Sequence, residues 1–375
     1  MSNRPLHGGN LAWAAALAGC SPDAILDFSA SINPLGPPES ALLAIQAHLA
    51  DLKVYPDPNY QNLRACLARI HDVPPEWILP GNGSAELLTW AGRDLSRFET
   101  IYLVTPAFGD YLRALNTFTT NLVKCPLVNA EWCSQVELGK QGDGQWYEKL
   151  PIPDFLPMGD RDRALLLNNP HNPTGVLFLR ETILPVLDRF GLVVVDEAFM
   201  DFLPAEKEQS LISVVEKYPN LVILRSLTKF YSLPGLRLGY AIAHPDRLQR
   251  WQQWRDPWPV NVLAAAAACA VLEDRAFEQQ TRHWLEEARN QLFVGLSQLP
   301  GLHPFPSAAN FLLVQSSRSS SLIQEKLLKQ SQILIRDCLS FPELGDRYFR
   351  VAVRSFSENQ RLLEGLAAIC EEMRG

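Results

Sequence analysis

The sequence has no hydrophobic run long enough to cross a membrane. Its longest apolar stretch, Val262 to Leu272, is mostly alanine and is shorter than the roughly 18 apolar residues that a membrane-spanning helix requires. A charged start followed by an apolar segment, the pattern of an export signal, is also missing. Basic residues are outnumbered by acidic ones, 34 to 41, which argues against a nucleic-acid surface built on a general basic excess. We therefore expect a cytoplasmic protein that binds neither membranes nor nucleic acids.

Patterns that bind structural metals are missing as well. The seven cysteines are scattered and never spaced C-x-x-C, which disfavours both a disulfide framework and a zinc site. The seven histidines show no H-E-x-x-H or similar spacing. With 375 residues, 47% of them hydrophobic and 20% charged, the chain is expected to fold into about two domains without a structural metal.

Apolar runs of strand length alternate with helical patterns over most of the chain. Such runs, rich in β-branched residues and bounded by Pro, Gly or acidic residues, are typical of strands buried on both faces of a mostly parallel sheet. The runs are IYLVTP (101–106), ALLLNNP (164–170), GLVVVDEA (191–198), LVILRSL (221–227) and LGYAIA (238–243). Helical periodicity covers 84–95 and 180–190, although Pro185 interrupts the second stretch. The alternation predicts an α/β layer architecture.

The pattern changes after about residue 280. A long amphipathic segment at 279–299 precedes short predicted strands near 310–314, 333–338 and 348–353, and a final helix closes the chain. These elements predict a smaller α+β domain. We divide the chain into an N-terminal arm at 1–47, which contacts substrate and packs on the small domain, a large cofactor-binding domain at 48–265, and a small C-terminal domain at 266–375.

Polar residues follow several of the predicted strands. Asp196 follows the run at 191–195, Asn172 follows the strand before it, and Lys229 and Arg237 follow the strand after it. The turn Gly81-Asn82-Gly83-Ser84 opens the predicted helix at 84–95. Because ligands of open α/β sheets bind at the carboxyl ends of the strands, we expect these groups to gather at one edge.

Each feature also has a simpler structural interpretation. The glycine turn could be an ordinary helix cap, since Glu86 stands where a G-x-G-x-x-G motif needs its third glycine and the P-loop lysine is missing. Lys229 could be a solvated surface charge, and Asp196 could cap a helix. The combination of the separate motifs at their spacing, rather than any one of them, favours a ligand site.

Four stretches together resemble the fold-type-I enzymes that use pyridoxal 5′-phosphate (PLP), specifically the class I/II aminotransferase superfamily. They are LPGNGSAELL (79–88), LLLNNPHNPTG (165–175), LVVVDEAFMDF (192–202) and SLTKFYSLPGLRLGY (226–240). The resemblance extends from about residue 7 to the C-terminal helix. It implies that PLP is the cofactor, that Lys229 holds it as a Schiff base and shuttles protons, and that Asp196 pairs with the ring nitrogen. Lys229 and Asp196 would be the catalytic residues.

The same resemblance assigns the remaining cofactor contacts. Phe108 would stack on the ring, and Asn172 would bond the ring hydroxyl oxygen. The residues that would bind or line the site of the phosphate are Ser84, Ala85, Ser226, Thr228 and Arg237. Tyr55 matches a tyrosine that reaches the phosphate of the neighbouring subunit, which implies a homodimer with shared active sites.

The start of the chain distinguishes between members of the superfamily. His7-Gly8-Gly9-Asn10 and DFSASINPLGPP (27–38) resemble the threonine-phosphate decarboxylases of cobalamin biosynthesis. Histidinol-phosphate aminotransferases carry a tyrosine three residues after the pyridinium aspartate, where this chain has Phe199. The resemblance implies that a phosphorylated amino acid is bound by His7, Gly8, Asn33, Asn172, Arg336 and Arg350. Two arginines suit a substrate with both a phosphate and a carboxylate.

The expected activity is therefore decarboxylation of O-phospho-L-threonine to 1-aminopropan-2-ol O-phosphate. A histidinol-phosphate-type aminotransferase is the alternative, because the cofactor-binding motifs serve both reactions. A need for 2-oxoglutarate would separate the two. A third interpretation is a binding or regulatory protein that has kept the fold without catalysis. Lys229, Asp196, Asn172 and Arg237 argue against it.

Overall fold

The computed structural model describes residues 4–118, 121–127, 146–147, 150–152 and 161–372. The α-helices described are α1 Leu11–Ala18, α2 Glu39–Ala47, α3 Gln61–His71, α4 Ser84–Leu95, α5 Gly109–Asn116, α6 Arg180–Leu187, α7 Pro245–Trp254, α8 Val262–Glu273, α9 Arg275–Ser297, α10 Ser320–Ser331 and α11 Phe356–Glu372. The strands are β1 Leu26–Asp27, β2 Ile78–Asn82, β3 Thr100–Thr105, β4 Leu122–Pro126, β5 Trp146–Tyr147, β6 Arg163–Asn168, β7 Leu177–Phe178, β8 Leu192–Asp196, β9 Leu221–Ser226, β10 Leu238–Ala243, β11 Leu302–Pro304, β12 Phe311–Ser316, β13 Ile333–Leu334, β14 Arg336–Asp337 and β15 Tyr348–Ala352.

A seven-stranded sheet forms the centre of the molecule, in the order β2-β10-β9-β8-β6-β3-β4. Its neighbouring strands are parallel except around β10, which runs antiparallel to both β2 and β9. The five strands predicted from apolar runs are all present, so the prediction of a mostly parallel α/β sheet is confirmed. Two strands of this sheet were not predicted. β2 contains Pro80 and Gly81, and β4 is an edge strand in which only Cys125 is buried.

Both faces of this sheet are covered. The four residues Leu192 to Val195 of β8 are all fully buried. Val193 and Val195 belong to one hydrophobic cluster, whereas Leu192 and Val194 belong to another on the opposite side. Side chains of a strand alternate between faces, so a continuous apolar run is required when helices cover both sides.

The helices predicted from periodicity are present with small shifts at their ends. The helix predicted at 84–95 is α4, with those same bounds. The helix predicted at 180–190 is α6, which contains Pro185 and ends at Leu187. The long amphipathic helix begins at Arg275, four residues earlier than expected, because the Asp274 side chain caps it by accepting from Phe277 N at 3.0 Å.

The small domain is built on the four-stranded antiparallel sheet β11-β12-β15-β14. The N-terminal arm joins it, because β1 pairs in parallel with β13 and α1 packs on α10. The arm also contains helices α1 and α2. The three-part division stays a prediction, and its boundary at residue 265 lies inside α8. No helix in the described residues is long and apolar enough to cross a membrane.

Candidate active site

The site forms at the carboxyl ends of the central strands. Asp196 is the last residue of β8 and Ser226 is the last residue of β9, with Lys229 three residues further on. Asp196 lies opposite Asn168 of β6 and Leu224 of β9 in the sheet register. Parallel pairing of these strands therefore brings together side chains that are far apart in sequence.

The Lys229 side chain is partly buried, with its Nζ 6.0 Å from the centre of the Phe199 ring. Burial lowers the pKa of Lys229 to about 8, the positive charges of Arg237 and Arg350 lower it as well, and Asp196 opposes them. An amine with this pKa is partly neutral near physiological pH, which a nucleophile requires.

Asp196 is held by two hydrogen bonds. The Tyr111 hydroxyl donates to its Oδ2 at 2.8 Å, and the backbone N–H of Ala198 donates to its Oδ1 at 3.0 Å. Burial raises the pKa of Asp196, whereas these hydrogen bonds and the charge of Lys229 lower it. A buried carboxylate with a raised pKa gains from a cationic partner, and a protonated ring nitrogen is such a partner.

A phosphate-sized cradle lies at the start of α4. Gly83 adopts a positive φ of 75° just before Ser84 and Ala85, the first two residues of the helix. A Cβ atom at Gly83 would lie 2.5 Å from Arg237 Nη2, so the guanidinium lies directly against this turn. Unpaired helix-terminal N–H groups beside a guanidinium form an anion-binding site.

The β9 side of the cradle is closed by the segment that leads to Lys229. Ser226 and Thr228 are buried, and the Ser226 hydroxyl accepts from Thr228 N at 3.3 Å. A Cβ atom at Gly239 would lie 2.5 Å from Ser84 N, so this glycine allows β10 to pass close to the start of α4.

Arg350, on β15, enters the site from the small domain. It donates to Asn172 Oδ1 and, at 3.1 Å, to the carbonyl oxygen of Ser29, and its Nε is buried without a hydrogen-bond partner in the described part of the chain. Burial lowers the pKa of Arg350 to about 10, and the nearby charge of Arg336 acts in the same direction. A bound anion would stabilise the charged form of this side chain.

Arg336 and the N-terminal arm meet at the same edge. Arg336 donates to the carbonyl oxygens of Pro5 and Leu6, and its separation from the Asp337 carboxylate is 4.0 Å. The His7 ring centre lies 5.5 Å from that of Phe108, and a Cβ atom at Gly8 would lie 2.3 Å from the carbonyl oxygen of Ser29. The arm thus lies between the two arginines of the small domain and the predicted ring-stacking residue.

Two predicted residues lie differently from the rest. The Asn33 side-chain amide donates to Phe230 O at 2.8 Å and to Thr281 Oγ1 at 2.9 Å. Its Oδ1 accepts from Leu35 N at 3.0 Å. The contact between this side chain and substrate stays a prediction. Asn33 N also donates to Lys229 O, which ties this part of the arm to the lysine segment. Tyr55 lies outside the site of its own chain.

The sequence analysis missed Tyr111 and Asp110. Tyr111 follows Phe108 by three residues at the start of α5, a spacing that places both on one helix face and could have indicated it. Asp110 Oδ1 lies 3.8 Å from His7 Nε2 and accepts from Arg113 Nε at 3.0 Å. The resemblance had assigned a role to Phe108 in the same stretch but to neither of these two residues.

The side chains fit the chemistry of PLP. The cradle at α4 suits its phosphate, the Lys229 amine suits its aldehyde, and the carboxylate of Asp196 suits a protonated ring nitrogen. Two cationic groups, Arg237 and Arg350, act on the Lys229 amine here, against the two carboxylates Asp196 and Asp110. The site therefore has positive charge left over for anionic ligands.

Comparison with known proteins agrees with this geometry. The profile of the family described as aminotransferase class I and II matches residues 23–366. The threonine-phosphate decarboxylase of Salmonella typhimurium is 40% identical over 96% of this chain and 95% of its own length. The adenosylcobalamin biosynthesis bifunctional protein CobDQ of Leptospira interrogans is 30% identical over 98% of this chain, which spans 41% of that larger protein. The structure of histidinol-phosphate aminotransferase from Clostridium acetobutylicum matches with a TM-score of 0.79 and 26% identity, over 93% of this chain and 100% of that one. The chain belongs to the aminotransferase class I and II family.

Proposed function

We propose that this protein is a PLP-dependent decarboxylase of O-phospho-L-threonine that forms 1-aminopropan-2-ol O-phosphate for cobalamin biosynthesis. The observation that carries the proposal is the similarity to the Salmonella decarboxylase over nearly the whole chain. The positive charge that remains at the site supports it, because this substrate brings both a phosphate and a carboxylate.

Residues of the large domain would hold the cofactor. The start of α4 and Arg237 bind the phosphate, with Ser226 and Thr228 beside them, while Phe108 lies against the ring. When bound, PLP withdraws electrons from the α-carbon of the substrate, provided that its ring nitrogen stays protonated. The hydrogen bonds from Tyr111 and Ala198 N would help to keep the ring nitrogen protonated, because they stabilise the negative charge of Asp196.

Residues of the small domain and the arm would orient the substrate. In this proposal Arg336, His7 and Gly8 hold the phosphate, whereas Arg350 and Asn172 hold the amino-acid end. Which bond to the α-carbon is activated would depend on how these residues orient the substrate against the cofactor, so a decarboxylase has to control the position of the carboxylate. Fixing the substrate at its distant phosphate gives the chain a means to select that orientation.

The Lys229 amine is placed to return a proton to the α-carbon after carbon dioxide leaves. Its pKa of about 8 allows it to hold and release a proton near neutral pH. The surrounding apolar side chains, including the buried Phe199, limit access of water to this position.

The test uses purified protein with PLP and O-phospho-L-threonine in the absence of any keto acid. We expect carbon dioxide and aminopropanol phosphate in equal amounts, and no turnover with the Lys229→Ala variant. Amino transfer from histidinol phosphate to 2-oxoglutarate, without decarboxylation, would instead establish the aminotransferase. That alternative is favoured by the structural likeness to the Clostridium enzyme, but Phe199 lacks the hydroxyl that histidinol-phosphate enzymes place near the ring oxygen.

The proposal includes a homodimer in the cytoplasm. Half of the exposed large hydrophobic side chains of the described residues lie in one segment, namely Leu42, Leu43, Leu49, Leu52, Val54 and Tyr55. Tyr55 is 77% exposed and stacks on the half-exposed Trp258 with ring centres 4.4 Å apart. An apolar surface of this kind suits a second copy of the chain, which would bring Tyr55 to the partner's phosphate cradle. The free cysteines suit a reducing compartment.

A further inference from the structure

Two cysteines from distant parts of the chain face each other between α3 and α8. Cys66 lies on α3 and Cys269 lies on α8, and the Cys269 Sγ reaches α3 one helical turn before Cys66. Both thiols are free and only partly buried. The proposed reaction uses neither of them, so the pair is a feature of its own.

The contacts on either side of the pair fix its geometry. The Cys269 Sγ lies 3.9 Å from the carbonyl oxygen of Asn62, one turn before Cys66 on α3. Beyond the thiols, Arg69 of α3 forms an ion pair with Glu273 of α8. Residue numbers rise together along both helices through these contacts. The helices therefore run in the same direction, and Cys66 and Cys269 lie on facing turns between the flanking contacts.

The pair is accessible to small reagents. The side chains of Arg69 and Glu273 are 63% and 61% exposed, so the groove between the helices opens to solvent about one turn from the thiols. Because both cysteines are only partly buried, we expect a small reagent to approach them from that side.

We propose that Cys66 and Cys269 form a dithiol that small-molecule disulfides, such as oxidised glutathione, convert to an intramolecular disulfide. The Cys66 thiolate attacks one sulfur of the reagent, which forms a mixed disulfide and releases one reagent thiol. Cys269 then loses its proton and attacks the Cys66 sulfur, which forms the cross-link and releases the second reagent thiol. The protein thiols lose two electrons and two protons, and the reagent gains them.

The order of attack follows from the environment of the two thiols. Burial and the neighbouring Cys66 thiol raise the pKa of Cys269 to about 12, so Cys269 is almost wholly protonated at neutral pH. The first attack therefore falls to Cys66, and Cys269 resolves the mixed disulfide.

The cross-link should stabilise the fold. The starts of the two helices are already joined, because the Tyr60 hydroxyl donates to Val260 O and accepts from Val260 N, both at 3.0 Å. A disulfide between α3 and α8 would close a loop of about 200 residues in the unfolded chain, which predicts a rise in melting temperature of roughly 3–6 °C.

The experiment treats the full-length protein with oxidised glutathione and measures intact mass, disulfide-linked peptides and melting temperature. We expect a product two hydrogens lighter, with Cys66 joined to Cys269, a higher melting temperature, and full reversal by a reductant. Cys269→Ser should stop at a glutathione adduct on Cys66. Cys370→Ser, the control at another partly buried cysteine, should still form the cross-link.

Two results would overturn the proposal. One is a folded protein in which both thiols stay free under these conditions, and the other is a disulfide that joins Cys66 to a different cysteine. The serine variants keep nearly the volume of the thiol, and their melting temperatures before oxidation show whether the fold is intact. Activity is not needed for any of these measurements, so the result is independent of the proposed decarboxylase.

Discussion

At the scale of single residues, the charge of Asp196 depends on the hydrogen bond from Tyr111. Tyr111→Phe removes a donor from a buried carboxylate, so the pKa of Asp196 should rise further and its ionised form should become less favourable. We expect cofactor binding to weaken by roughly tenfold, which corresponds to about 1.4 kcal/mol. Spectroscopic titration of the protein with PLP measures this dissociation constant directly.

Tyr102→Phe is the matched control for this prediction. Tyr102 is also a buried tyrosine, and its contact among the described residues is ring packing on Phe190 at 5.6 Å. This variant should bind PLP as the unmodified protein does. Equal affinities for Tyr111→Phe and Tyr102→Phe would show that Tyr111 does not support the charge of Asp196.

The lowered pKa of Lys229 predicts a pH dependence for cofactor uptake. Only the neutral amine attacks an aldehyde, and a pKa of about 8 places half of the lysine in that form near pH 8. The rate at which the cofactor-free protein takes up PLP should therefore rise with pH, reach half of its maximum near pH 8 and level off above about pH 9. A rate that keeps rising toward pH 10 would mean that Lys229 has the pKa of an ordinary solvent-exposed lysine.

At the scale of elements, we expect the phosphate cradle at the start of α4 to lose affinity for PLP when Gly83 gains a side chain. Gly83→Ala places a Cβ atom 2.5 Å from Arg237 Nη2 at a residue whose φ is 75°, so both the guanidinium and the backbone must shift. We expect PLP affinity to fall by at least tenfold, in line with a strain of about 1–2 kcal/mol. Gly235→Ala, in the loop before Arg237, meets nothing within 4 Å and should be silent.

Elements could be predicted from sequence where burial alone determines the pattern. The continuous apolar run at 192–195 predicted a strand buried on both faces of the sheet, and the structure has such a strand. The sequence of α4 has a clear helical period. β2 could not be found this way, because Pro80 and Gly81 lead into the turn before α4 and have low strand propensity. The side-chain bonds of Asn33 and Tyr111 depend on elements that meet only in the folded chain, so no local pattern predicted them.

At the scale of the whole molecule, the arm connects the two domains at the site. Arg4 forms an ion pair with Asp337 at 2.8 Å in the small domain, while His7 packs on Phe108 of the large domain. A substrate held by Arg336 and Arg350 would therefore meet groups from three separate parts of the chain. Under the proposed function, substrate recognition would thus require all three parts, whereas the residues of the proposed cofactor cradle in this chain lie in the predicted large domain.

The proposed homodimer makes the last prediction. If Tyr55 completes the phosphate cradle of the partner subunit, each active site takes its Lys229 from one chain and its Tyr55 from the other. Tyr55→Ala and Lys229→Ala then remove residues that different chains contribute to the same site. A mixed dimer then holds one site with its own Lys229 and an intact Tyr55 from the other chain. Exchange of subunits between the two inactive variants should restore about a quarter of the wild-type activity per chain, since half of the dimers are mixed and each has one complete site. Activity that stays at the level of the separate variants, although light scattering shows dimers and tagged subunits show exchange, would mean that each chain builds its site alone.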